Sequence, residues 1–347
     1  MSSLQIGLAV AGGVLLAAMV AHGAWRARRS LPLQATHSDS EGQGATQPND
    51  QQAVEPALDA TAFDVASFPL TVVERKLALD ALIDVIAAIA LEAPVSGEAA
   101  LAVMPTRRAG GKPFFIEGFS DGGQRWEVPA AGQRYAMFQA GVQLANRAGA
   151  LNDIEFSEFV MKTQMFCDAV NGSPDFPDMR EEVSRARELD QFAGEHDAQL
   201  AFVLRARHAA WSPGYVQQNA SRLGFVAGSM PGRMVLPARE AGSPPLLGLN
   251  FDTQAAMAED PAQSAILELT LSLDVPQVDR AENAFARMRE AALLLAENMD
   301  GMVTDDKGVL LQPEAMDRIG VELERVYDTL ERRDLAAGCA AARRLFS

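Results

Sequence analysis

Ten residues near the middle of the C-terminal half constrain this chain most. In Ala265–Asp274, Leu267, Leu269, Leu271 and Leu273 fall on one side, and Glu268, Thr270, Ser272 and Asp274 fall on the other. Side chains alternate along a strand, so this pattern requires a sheet with one covered face and one open face. Ala198–Arg207 repeats the pattern, with Leu200, Phe202 and Leu204 set against Gln199, Ala201 and Arg205. Between these two segments, Ser212-Pro213 opens a helix that runs to Leu223 and ends at Gly224, with serine as N-cap and proline in the first turn. Short strands are expected near Phe225–Ala227, Arg233–Leu236 and Leu246–Phe251. Two amphipathic helices follow. Phe285, Met288, Ala292, Leu295 and Met299 step by three and four within Arg280–Met299, and Met316, Ile319, Leu323, Val326 and Leu330 do so within Pro313–Leu330. The expected fold class is α+β: an antiparallel sheet with helices packed on one face.

The segment before it follows a related pattern. Val142–Gly172 and Leu271–Gly301 align at a constant offset of 129 residues, pairing Phe156 with Phe285, Phe159 with Met288, Phe166 with Leu295 and Val170 with Met299. Asn171-Gly172 matches Asp300-Gly301, Asp80-Ala81 matches Asp197-Ala198, and Ser96 matches Ser212 as a helix N-cap. Pro174–Phe192 is then expected to be the counterpart of the last helix. Two readings stand: a divergent duplication of one module, or a single larger α+β domain.

The N-terminus carries a different signal. Ile6–Trp25 has no Lys, Arg, Asp or Glu, and its length of about 20 residues suits a hydrocarbon core of about 30 Å. Nothing basic precedes the run, whereas Arg26, Arg28 and Arg29 follow it. A cleaved signal peptide has the reverse arrangement and a shorter apolar core. Residues 4–25 are therefore expected to form a transmembrane anchor, with Ile6, Val10 and Leu15 in the bilayer, Trp25 at the interface, and Arg26 and Arg28 holding the following chain on the cytoplasmic side. Small residues such as Ala9, Gly13 and Ala17 recur on one helix face and give the anchor a route to self-association. Residues 26–63 are expected to be a flexible acidic linker. From Ser30 to Ala62 there is no Lys or Arg, and Asp39, Glu41, Asp50, Glu55 and Asp59 stand among Gln, Ser, Thr and Gly. The rest divides into 64–195 and 196–347.

Several function classes are disfavoured. The net charge of −16 and the lack of a basic stripe outside the N-terminal run argue against nucleic acid. Cys167 and Cys339 are the only cysteines and are far apart, so they suggest neither a disulfide framework nor a metal knuckle. His22 and His37 lie in the anchor and linker, while His196 and His208 bracket a strand at opposite ends. No HExxH, GxSxG, P-loop or GxGxxG pattern occurs. Asp305-Asp306 reads as a pair of solvated turn carboxylates, and Arg107–Lys112 as a hairpin loop. No catalytic residue, metal or cofactor is assigned.

The order of anchor, linker and sheet domain with two trailing helices resembles the ZipA family of cell-division proteins. The residues that carry the resemblance are His22-Gly23-Ala24-Trp25 with Arg26 and Arg28, Leu223-Gly224-Phe225, Val275-Pro276, Ala291–Gly301 running into Val303-Thr304-Asp305-Asp306, and Gln312-Pro313. The linker is shorter than those of the family, and 64–195 is an addition to its layout, a degenerate ZipA-like module. The resemblance implies a bacterial inner-membrane protein at the division site, single-pass, with its N-terminus periplasmic and its bulk cytoplasmic. It implies binding of the C-terminal tail of the tubulin-like protein FtsZ in an apolar groove on the open sheet face. In this chain that groove corresponds to Gln199, Ala201, Ser229, Met230, Gly248, Asn250, Thr270 and Ser272. Met230 and Thr270 match groove positions of the family, whereas Ser229 stands in place of an acidic residue, Ser272 in place of a large aromatic and Asn250 in place of an apolar residue.

Overall fold

The computed structural model describes residues 79–240, 242–258 and 264–347. The anchor at 4–25, the linker at 26–63 and the stretch 64–78 lie outside them. Among the described residues no helix is long and apolar enough to cross a membrane.

Two antiparallel sheets organise the chain. The first is built from β1 (Asp84–Ser96), β2 (Arg108–Ala109), β3 (Lys112–Ser120), β4 (Arg125–Glu127), β5 (Arg134–Gln143) and, beyond the hairpin of β6 (Ala145–Asn146) and β7 (Gly149–Ala150), β8 (Gly172–Asp175). Its order is β2-β3-β5-β1-β8, with β4 also pairing β3. The short helix α1 (Gly97–Ala102) follows β1, α2 (Asp153–Val170) precedes β8, and α3 (Met179–His196) follows it. The second sheet has the order β10-β11-β12-β13-β9-β14. It contains β9 (Gln199–Ala206), β10 (Val226–Ala227), β11 (Arg233–Leu236), β12 (Leu247–Phe251), β13 (Glu268–Asp274) and β14 (Gly301–Thr304). Its helices are α4 (Pro213–Arg222), the single turn α5 (Thr253–Ala256), α6 (Ala284–Asn298) and α7 (Pro313–Glu331); α8 (Ala340–Leu345) closes the chain.

Both sheets place their first strand between the strand that precedes the long helix and the strand that follows it. β1 lies between β5 and β8, and β9 lies between β13 and β14. Equivalent details recur. Ser96 and Ser212 both cap helix N-termini through their hydroxyls, and Asn171 and Asp300 both take left-handed backbone, at φ 53° and 51°. Asn tolerates that conformation because its short polar side chain bonds locally, and Asp does so for the same reason. Phe156, Phe159, Phe166 and Val170 are buried under the first sheet, as Met288, Leu295 and Met299 are under the second.

Three local expectations require correction. Leu267 is 63% exposed, while Ile266 and Leu269 are buried. Ile266 bridges to Trp211 outside the ladder, so the alternation slips before β13 begins at Glu268. The first long helix after β13 starts at Ala284. Asp279 caps a separate 3-10 turn at Arg280–Glu282, and Asn283 at φ 50° breaks the path between the two. The counterpart of the last helix begins at Met179 under an Asp178 cap, because Pro174 belongs to β8. Cys339 caps α8 from just outside the helix.

The two sheets are tied together by residues far apart in sequence. Arg344 on α8 makes two bonds, at 2.8 and 2.5 Å, to the carboxylate of Asp84, which is fully buried on β1. Burial holds the Asp84 carboxyl above its ordinary range against the opposing pull of Arg344. Leu345 and Phe346 are buried beside this pair. Replacing Arg344 with methionine leaves a buried carboxylate without its cation, so the chain is expected to lose about 3–5 kcal/mol. The double change Asp84→Ala with Arg344→Ala should recover most of that loss, and urea unfolding of the two variants against wild type measures the difference.

Candidate functional site

The open face of the second sheet is assembled by register. In the β9/β13 ladder Ala201 faces Ser272, Val203 faces Thr270 and Gln199 faces Asp274. In the β12/β13 ladder Gly248 faces Ser272 and Asn250 faces Thr270. Val235 faces Gly248, Arg233 faces Asn250, and Val226 faces Val235. Two rows therefore cross the sheet: Val226–Val235–Gly248–Ser272–Ala201, and Arg233–Asn250–Thr270–Val203–Thr304, the last of these buried. At about 4.8 Å per strand, the first row is about 19 Å long. The opposite face is closed by Phe202, Leu204, Met234, Leu249, Leu269, Leu271 and Leu273 against the helices.

Six of the eight residues assigned to the groove thus share one surface: Gln199, Ala201, Gly248, Asn250, Thr270 and Ser272. Ser229 and Met230 stand apart on the turn between β10 and β11, where the main-chain oxygen of Met230 accepts from Arg233. The Met230 side chain is 55% exposed at the end of the face. Gly232 closes this turn at φ 77°, and a Cβ there would approach the Phe251 carbonyl oxygen to 2.6 Å. Val203, Val226 and Val235 belong to the same face and were not assigned to it from sequence. The signal for Val203 and Val235 was their position in phase with polar residues of the same strands, which masked an apolar strip.

The floor of the face is made of small side chains. A Cβ on Gly248 would come within 2.8 Å of Ser272 Oγ, which itself donates to the Gly248 carbonyl at 3.3 Å. Ala201 is exposed, and Thr270 and Ser272 are half-buried. Such a floor leaves room for large apolar side chains of a ligand while offering the Thr270 and Ser272 hydroxyls and the Asn250 amide within it.

Charge lies at the margins: exposed Arg233 begins the second row on β11, and ion pairs stand at both ends of the strands. At one end Arg205 pairs with Glu268 at 3.5 Å. At the other, Arg147 reaches over from the β6–β7 hairpin of the first module. It donates twice to Asp197, at 2.8 and 2.6 Å, and twice to Asp274, each at 2.8 Å. Turning the Gln199 amide brings its oxygen within 2.8 Å of Arg147 Nη2. Asp197 first, and then Asp274, push the guanidinium further above its ordinary range, so it stays charged.

Other groups have structural partners. Trp211 is fully buried and donates from Nε1 to the Met299 carbonyl at 2.6 Å. Trp126 stacks edge-on against Phe119 at 5.4 Å on the first sheet. Arg107–Lys112 forms the β2–β3 hairpin, with Ala109 facing Lys112. Asp305 accepts from the backbone of Lys307 and Val309 within its turn. His196 stacks on Phe192, and His208 meets Asp300 at 2.7 Å. Burial pushes the Cys167 thiol up to about 11, so it is protonated and unreactive near neutrality. Among the described residues no three His, Cys, Asp or Glu side chains converge as metal ligands.

Residues 250–321 match the family model described as ZipA, C-terminal FtsZ-binding domain. The match runs from the end of β12 through β13, α6 and β14 into α7, and supports a ZipA-like protein. The matched family is a binding domain. No curated protein matches the chain. Among solved structures, that titled "Structure of FgChi7B" is similar at 11% identity over 74% of this chain and 55% of that one. Its TM-score of 0.21 gives that likeness no weight for the fold.

The Arg147 clamp gives a direct prediction. Arg147→Met should lower stability by about 1–2 kcal/mol at low salt, because the guanidinium and both carboxylates are only partly shielded from water. The gap from wild type should narrow in 1 M salt, as read from paired denaturation curves.

Proposed function

We propose that the open face of the second sheet captures the C-terminal tail of FtsZ, and that the chain tethers division-ring polymers to the inner membrane. The observation that carries this reading is the uncovered two-row surface of small and β-branched side chains on β9, β11, β12 and β13, within and beside the segment that matches the FtsZ-binding family. An extended or helical tail would lay its apolar side chains over Ala201, Gly248, Val203 and Val235, with Thr270, Ser272 and Asn250 bonding its polar groups. Met230 would close the far end.

In the same reading Ile6–Trp25 is the anchor, with its N-terminus in the periplasm. Residues 26–63 are the tether, and the two modules at 64–195 and 196–347 work at the cytoplasmic face. The first module is a divergent copy of the second, supported by the common strand order and the shared cap positions. A tail bound with micromolar affinity, about −8 kcal/mol, suffices because many anchored copies face one polymer.

A second reading is favoured by Asn250, exposed and polar at the centre of the face. In it the chain is an anchored division scaffold that binds another partner or itself, without FtsZ. Pull-down with a synthetic FtsZ tail peptide decides between them. Wild type should retain the peptide, and Ala201→Arg, on an exposed position of β9, should weaken retention at least tenfold without changing the melting temperature. Met230→Glu should weaken it less, because it stands at the end of the face. No retention by wild type would leave the scaffold reading in place.

A further inference from the structure

The two sheets can be compared position by position. Val85 faces Val142 on the first, and Phe202 faces Leu271 on the second; Asp84 faces Gln143, and Ala201 faces Ser272. The pairs coincide at offsets of 117 residues for the first strand and 129 for its neighbour. One row further, Gly141 takes the place of Thr270. Phe115, paired with Gly141, takes the place of Asn250, paired with Thr270. The groove residues Ala201, Ser272, Thr270 and Asn250 thus have as counterparts Asp84, Gln143, Gly141 and Phe115. The trailing strand keeps the same face but sits two residues out of step: Gly172 pairs with Leu91, and Gly301 with Ala206.

All four counterparts are occupied, three of them by the C-terminal segment. Arg344 holds Asp84 through both carboxylate oxygens, and its guanidinium lies 5.3 Å from the centre of the Phe115 ring. Gln143 donates to the Arg344 carbonyl at 2.8 Å. The Ser347 carbonyl accepts from the backbone of Arg147 on the adjoining hairpin. Gly141 lies under Leu79, whose side chain would be 2.4 Å from a Cβ built there, and the Leu79 N–H donates to Glu117. On the second sheet Ala201 and Asn250 are exposed, and Thr270 and Ser272 are half-buried.

We propose that the open face of the first sheet is a second tail-docking surface, and that the chain's own segment 340–347 occupies it in cis. The chemistry fits a short helical segment that presents one arginine to the face: a buried carboxylate and an aromatic ring receive the Arg344 guanidinium, Leu345 and Phe346 are buried, and Gln277 donates to the Arg343 and Phe346 carbonyls from the other side. Covalent attachment gives this tail a millimolar effective concentration, so it excludes a micromolar competitor. This rests on the tail-binding reading of the second sheet, and predicts that the intact chain takes one FtsZ tail and not two.

The test is calorimetric titration of the full chain in detergent with a synthetic FtsZ tail peptide. Wild type should bind one peptide per chain. A chain ending at Asp334 and carrying Leu79→Ala with Asp84→Ala gives the first face the alanine that the second sheet has at Ala201 and removes both of its coverings, so it should bind two. Two peptides on wild type, or one on a variant that still melts cooperatively, would overturn the proposal. A second arm needs no FtsZ. A chain ending at Asp334 should melt at a lower temperature, and a synthetic peptide of residues 335–347 should restore most of the difference. The same peptide with Arg344→Ala should require at least tenfold more to do so. Failure of the unaltered peptide to act would overturn docking of the C-terminus even if the second sheet binds FtsZ, and success with no tail bound anywhere would reject the tail-binding reading and with it the claim of a second tail surface.

Discussion

The β9/β13 ladder is the constraint on which the second sheet depends. Phe202, Leu204, Leu269, Leu271 and Leu273 must all leave water together, and strand alternation then forces Ala201, Val203, Thr270 and Ser272 onto the other side. A slip of one residue would expose the core and bury the face. The site is thus a by-product of core formation: the same register that buries the leucines lines up the two rows to which β11 and β12 add.

The first sheet obeys the same rule but has a different outcome. Val85, Ala87, Ile89, Phe138, Ala140 and Val142 are buried on its helix side. Its other side carries Asp84, a group that water would ordinarily solvate. Taking that carboxylate out of water is tolerable only with a cation in place, and Arg344 supplies it. Where the second sheet has Ala201 there is no such demand, and the face stays uncovered. One position, acidic on one sheet and apolar on the other, separates a face closed from within from a face left uncovered.

Arg147 links the two outcomes. It is carried on the β6–β7 hairpin, and its carboxylate partners stand at the end of the second sheet's open face. Its backbone N–H bonds the last residue of the chain. The β6–β7 hairpin thereby fixes the end wall of the candidate groove, which gives residues outside the family match a direct bearing on it.

Most elements of the second sheet were legible in the sequence because they rest on local periodicity, whereas the strands of the first sheet were not delimited from it. The alternation around Phe202 and Leu271 defined β9 and β13, Ser212-Pro213 and Gly224 bounded α4, and the three-and-four spacing of Met316 to Leu330 defined α7. The misjudged boundaries lie where a single residue changes the backbone locally: Asn283 in left-handed conformation, Pro174 drawn into a strand, and Leu267 turned out before the ladder begins. Six of the eight assigned groove residues share a face because parity along a strand is a property of sequence. Which of the two faces would be covered was not legible. Asp84 and Arg344 are 260 residues apart, and neither lies in a pattern that points to the other. Sequence determined the faces, since alternation is local. Tertiary structure decided their occupancy, since a buried charge finds its partner only when the chain has folded back on itself.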